Sequence, residues 1–98
     1  MKRDRSIVQA DMSKCFICGT THGLHTHEIF FGTANRKKSI KHGLYVRLCG
    51  PHHNLSNAGV HFNKALDLSI KKIGQKKFEE RYDRLEFINT FGKSYLND

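Results

Sequence analysis

The chain has 98 residues, enough for one domain, with 38% hydrophobic and 10% aromatic residues and no Trp, a composition whose small core would gain from a metal staple. Lys and Arg number 17 against 9 Asp and Glu, a net charge of +8, which points to a polyanionic partner, nucleic acid first. No apolar run approaches a membrane span. The charged start Met1–Ser6 lacks the apolar core of a secretory signal.

Residues 1–13 are mostly polar around Ile7 and Val8 and read as a loose lead-in. Residues 14–98 form the single domain. All three Cys and all seven His lie within 14–62, and residues 63–98 carry neither. Leu24–Phe31, bounded by Gly23 and Gly32, predicts a strand. Thr33–His42 reads as a polar, basic loop closed by Gly43, and Leu44–Leu48 as a second strand, so an antiparallel hairpin is expected. Gly50-Pro51 breaks the strand and opens a short helix. Leu66, Ile70 and Ile73 recur at helical spacing, and Gly74 is expected to end or weaken that helix. Phe78, Tyr82 and Leu85 continue the rhythm. Leu85, Ile88 and Phe91 predict a last helix stopped by Gly92. All these apolar stripes are expected in the core. The fold class is thus α+β, a small zinc-stapled unit with C-terminal helices.

Cys15-Phe16-Ile17-Cys18-Gly19 is a C-x2-C knuckle, and Cys49-Gly50-Pro51-His52 supplies a second pair at the same spacing. Tight turns of this kind direct two donors to one point, and three thiolates with one imidazole suit a closed, structural Zn2+ site. His53 competes with His52 for the fourth place; the C-x2-H symmetry favours His52. A redox role for Cys15 and Cys18 is the alternative, but such pairs open a helix in a βαβ setting that is missing here.

A second set of histidines remains. His25 and His27 alternate on the first strand and share a face. Glu28 falls on the opposite face unless the strand bulges or ends there. Asn57 lies one helical turn beyond His53, and His61 lies near that side. These residues frame an open site for a divalent ion and a water. His22 and His42 read as ordinary loop residues, and His25 is divided between the two roles.

The knuckle, a strand carrying His27-Glu28-Ile29-Phe30-Phe31-Gly32, the stretch Asn35-Arg36-Lys37-Lys38-Ser39, the run Leu48-Cys49-Gly50-Pro51-His52-His53 and the segment Gly59-Val60-His61-Phe62-Asn63 resemble the HNH (ββα-metal) endonucleases, and most of all small phage-encoded ones. The likeness covers about 14–98, with specific motifs ending near Asn63. It implies a treble-clef-like ββα core and a Mg2+ or other divalent ion in the cleft. It also implies hydrolysis of DNA phosphodiesters in the cytoplasm of a bacterial or phage-infected cell. By the same likeness His53 binds the catalytic ion, with Asn57 or His61 completing it. Either His27 is the general base, or His27 binds metal and Glu28 stands at the base position. Asn35 is the nearest substitute for the family's central Asn. Arg36, Lys37, Lys38 and Lys41 would neutralise DNA phosphates from the loop between the strands. Glu28, at a position where the family usually has His, keeps open a non-catalytic zinc-binding module on the same fold.

Overall fold

The computed structural model describes residues 6–53, 59, 61 and 63–96. Two strands, β1 (Leu24–Glu28) and β2 (Tyr45–Cys49), flank the helix α1 (Thr33–Lys41), and α2 (Gly50–His53), α3 (Lys64–Glu79) and α4 (Arg84–Phe91) follow. The architecture is α+β with a two-stranded sheet. The strands pair antiparallel from Leu24↔Cys49 to Glu28↔Tyr45. Among the described residues no helix is long and apolar enough to cross a membrane.

β1 stops three residues earlier than its composition predicts. Ile29 and Phe30 leave the sheet and enter the core, where they are 0% and 1% exposed. Their backbone groups are still satisfied, as burial requires. The Ile29 N–H donates to the Leu44 carbonyl at 3.0 Å. The buried Ser39 hydroxyl accepts from the Phe30 N–H at 3.1 Å and donates to the Phe30 carbonyl at 2.8 Å. One side chain of α1 thus replaces the sheet ladder at the point where the chain turns inward.

Ser39 belongs to a helix where a basic loop was expected. Thr33–Lys41 contains no Gly or Pro, and Gly32 with φ 99° and Gly43 with φ 72° punctuate its ends. The segment lacks an apolar stripe because it is docked by polar groups. Lys38 Nζ donates to the Thr90 carbonyl at 2.8 Å, and Asn35 Nδ2 to the Phe91 carbonyl at 3.5 Å. Hydrophobic periodicity could not have revealed such a helix.

α3 runs unbroken through Gly74, against expectation. A Cβ there would lie 3.3 Å from Ile29 and Phe30 side-chain atoms. Glycine at this position admits the inward-turned end of β1, and the gain in packing offsets its poor helix propensity. Asn63 caps α3 by accepting from the Leu66 N–H, and Asp83 caps α4 by accepting from the Glu86 N–H. Gly92, in the left-handed region, closes α4 as predicted.

The core joins Leu44, Val46 and Leu48 of β2 to Ile70 and Phe78 of α3 and to Phe87 and Phe91 of α4, around Phe30. The Phe30 ring lies 4.7 Å from Phe91 and 5.2 Å from Phe87. Ile73, Tyr82 and Leu85 are 39%, 49% and 65% exposed, so those members of the predicted stripes are not core. α3 buries the i, i+4, i+8 row Ile70, Gly74 and Phe78, which leaves Ile73 off the stripe. Tyr82 falls in the turn between α3 and α4, and α4 buries only Phe87 and Phe91.

The lead-in is stitched to the sheet from Ser6 onward. The Ile7 N–H donates to the Gly43 carbonyl. The Ser6 hydroxyl donates to the Tyr45 carbonyl, and the buried Gln9 accepts from the Arg47 N–H while donating to the Lys14 carbonyl. Gln9 therefore ties the lead-in, the knuckle and β2 together.

Candidate metal centres

The knuckle forms because Gly19, at φ 79°, lets the chain reverse; its N–H donates to the Cys15 carbonyl, and the Cys15 N–H to the Thr20 carbonyl. The Phe16 N–H donates to the Arg47 carbonyl at 2.7 Å, which docks the knuckle on β2. Cys49 closes β2 and His52 lies in α2, so C-x2-H brings two donors to the same point. Cys18 Sγ is 3.7 Å from Cys49 Sγ, and His52 Nδ1 is 3.1 Å from Cys49 Sγ and 3.9 Å from Cys15 Sγ. The four donor atoms lie within 4.8 Å of one another and could hold a zinc ion. Burial pushes the Cys15 thiol up, but the N–H groups of Cys18, Cys49 and Ile17 outweigh it and hold the thiol at about 6. Burial raises Cys49, as do the neighbouring thiols of Cys18 and Cys15. A ring of thiols so close together suits a cation at its centre.

His53 turns the other way. Residues one apart on a helix point about 100° apart, so while His52 meets the thiols, His53 faces β1. There it joins His27 and His61, whose nitrogens also lie within 4.8 Å of one another and could hold a metal ion. His53 Nε2 is 3.1 Å from His61 Nε2. His53 Nδ1 is 3.0 Å from His25 Nδ1. His27 is 2% exposed, and its Nε2 is buried without a hydrogen-bond partner among the described residues. A buried, unpaired ring nitrogen is costly, and a cation held by the three imidazoles would satisfy it. Burial, then the neighbouring His53 and His61, lowers His27 to about 3. Burial, then His61 and His25, lowers His53 to about 4. Both rings are therefore neutral, and each keeps one ring nitrogen without a proton.

These histidines line a cleft of about 340 Å³ together with Thr26, Glu28, Phe31 and Arg36. Glu28 reaches the same cleft as His27 because β1 ends there, the exception that strict alternation allows. Its carboxylate, 12% exposed, pairs with Arg36 Nε at 3.4 Å. Phe31 forms an apolar wall, 5.8 Å from the His27 ring and 5.3 Å from the His61 ring, with Lys71 Nζ 4.4 Å above its own ring. Lys71 is in turn paired with Asp67 at 2.9 Å.

The structure thus brings His27, Glu28, His53, His61 and Arg36 together. Asn57 lies outside the described residues. Lys37 and Lys41 are exposed, but on α1 and not on a loop. Lys38, expected on a loop facing phosphate, bonds from α1 to the Thr90 carbonyl, and Asn35 bonds to the Phe91 carbonyl, so both side chains meet the end of α4. His22 is exposed, whereas His42 packs 5.2 Å from the Phe78 ring as part of the helical interior. Sequence reasoning missed Phe31 and Lys71 as cleft neighbours, because the link between them is a contact between β1's end and α3. His25 was only half found; its spacing from His27 was the available signal. No family model, no curated protein and no solved structure matches this chain.

Proposed function

We propose that the protein is a divalent-metal-dependent DNA endonuclease of HNH type, built on a treble-clef-like ββα core stapled by zinc. One observation carries this reading: adjacent residues His52 and His53 serve two different clusters, and the second contains the buried, unpaired Nε2 of His27. A purely structural zinc module needs only the first.

The donor set fits an ion in the open cleft. His27, His53 and His61 would hold it, and Glu28 then takes the base position. Three imidazoles suit Zn2+, Mn2+, Co2+ or Ni2+ better than Mg2+, which prefers oxygen ligands. When bound, the ion supplies positive charge against the phosphodiester oxygens and the leaving 3′ oxygen. Glu28 accepts the proton of the attacking water. Arg36, already beside Glu28, donates to the scissile phosphate, as guanidinium groups do to phosphate oxygens. Phe31 keeps water from that wall of the cleft. Lys37 and Lys41 neutralise neighbouring backbone phosphates without reading sequence. The thiolate staple belongs in a reducing compartment such as a bacterial or phage-infected cytoplasm.

The test is incubation of supercoiled plasmid with Mn2+, Co2+, Ni2+, Zn2+ or Mg2+, each with and without EDTA. Nicked or linear product is expected with the transition ions, and none with the His27→Ala or His53→Ala variants. The Glu28–Arg36 pair is the feature that would favour a non-catalytic DNA- or protein-binding module. Intact plasmid under every ion would leave that reading in place of the nuclease.

A further inference from the structure

His53 is held at both ring nitrogens. Its Nε2 lies 3.1 Å from His61 Nε2 and its Nδ1 lies 3.0 Å from His25 Nδ1. Two ring nitrogens at the latter distance share one proton, since two lone pairs repel and two N–H groups clash. There are two ways to place it. If His25 donates, His53 must carry its proton on Nε2, directed at His61 and away from metal binding. If His53 donates, its Nε2 lone pair is free to join those of His27 and His61. The nitrogen that binds metal is set by the hydrogen bond of the other nitrogen.

We propose that His25 is a positioning residue for the open metal centre, accepting the Nδ1–H of His53 and so fixing the tautomer and ring angle that present His53 Nε2 to the ion. His25 is outside the group of three whose donors converge, so its part is to orient a ligand and not to be one. It stands two residues before His27 on the same face of β1 and opposite Leu48 of β2, one residue before the zinc-cluster Cys49. A rigid sheet position therefore sets the acceptor. The ring planes of His25 and His53 stand 85° apart with centroids 5.1 Å apart, and with the two Nδ1 atoms at 3.0 Å the rings meet nitrogen to nitrogen, so an in-plane N–H can reach an in-plane lone pair. Outer partners of this kind orient metal-bound histidines and make them better donors.

This inference rests on the open cleft being a metal site, so the experiment separates the two claims. Zn2+ binding is measured by calorimetry on protein already carrying one zinc, for wild type and for His25→Ala, His25→Asn and His53→Ala. In Asn the side-chain oxygen sits where Nδ1 sits in His, so it can accept the same hydrogen bond. Wild type should bind one further Zn2+, and His53→Ala none. His25→Ala should keep its first zinc and bind the second about 10–100-fold more weakly, and His25→Asn should recover most of that loss. At saturating Zn2+, proton NMR should show a slowly exchanging His53 ring N–H in wild type and His25→Asn but not in His25→Ala. If wild type takes up no second Zn2+, the metal-site reading itself fails. If wild type takes it up and His25→Ala binds it equally tightly, or Asn restores neither affinity nor the protected N–H, the positioning role is overturned while the site stands.

Discussion

The thiolate cluster and the histidine cleft sit on either side of the β2–α2 junction and differ in donor type, closure and surroundings, the differences expected between a metal staple and an open site. The first gathers four donors, three of them sulfur, from two tight turns, the number that a closed tetrahedral zinc site needs. The second gathers three imidazoles, leaves one buried nitrogen unpaired, and opens onto a cleft with a carboxylate and a guanidinium on its walls. The first is built from local C-x2-C and C-x2-H spacing. The second needs β1, α2 and His61 to be correctly placed beforehand. The staple is therefore a condition for the cleft, and the dependence should run in one direction.

The largest effect tests that direction. Cys49→Ser or Cys15→Ser should release zinc and unfold the sheet, taking the cleft with it. Structural zinc in small domains contributes about 10–16 kcal/mol in apparent terms, against about 5–15 kcal/mol of net domain stability. Circular dichroism and metal analysis check this. Retention of helical signal in zinc-free protein would show that the core around Phe30 stands without the staple.

The next effect separates the two adjacent histidines. His52→Ala should lose zinc and then the fold. His53→Ala should keep one zinc and the folded signal while losing cleavage. Glu28→Gln should keep both metals and slow cleavage about 10²–10⁴-fold, the range for a removed general base. If His53→Ala releases the structural zinc, the two clusters share a ligand and the contrast between them is wrong.

A smaller effect concerns acid. Folded His27 binds a proton only near pH 3, whereas an unfolded histidine does so near 6.5. Between those values the unfolded chain carries the extra proton, so stability falls as pH falls through the window. Without added second metal, wild type should lose more stability from pH 7 to pH 5 than His27→Gln, by denaturant unfolding at each pH. Parallel curves for the two proteins would mean that His27 is not held neutral by its surroundings.

Much of the staple was legible because its donors lie close together in sequence and each pair occupies one turn. The grouping of His27 with His53 and His61 was legible only as the histidines left over once the thiolate set was assigned, and their roles only through family resemblance, since no local spacing joins a strand to residues 26 and 34 positions on. What escaped the sequence is instructive in physical terms. α1 is a helix anchored by Lys38, Asn35 and Ser39, whose polar side chains bond to backbone, and pattern reading takes such residues for a solvated loop. Gly74 reads as a helix breaker until the Ile29 and Phe30 side chains that press against it are known. The exposed Leu85 and Tyr82 show the converse error, in which helical rhythm continues through a turn that ends the buried face.

The smallest expected effect asks which of the two regions meets DNA. Near the thiolate cluster, Lys14 is partnered by Asp11 at 3.7 Å. On α1, whose Arg36 lines the cleft, Lys37 and Lys41 are exposed and one helical turn apart. Lys38 between them is held by the Thr90 carbonyl. Each phosphate contact contributes about 0.9 to the slope of log affinity against log salt. Replacing Lys37 and Lys41 together by Ala should therefore lower that slope by about 1.8 for duplex DNA, measured by fluorescence anisotropy from low to moderate salt. Lys14→Ala should leave it unchanged. Lys38→Ala should also leave it nearly unchanged while costing about 1 kcal/mol of stability, because a hydrogen bond is lost and not a phosphate contact. Equal slopes for wild type and the Lys37/Lys41 double variant, with a reduced slope for Lys14→Ala, would place the duplex on the staple side. Such a footprint would count against DNA cleavage at the cleft.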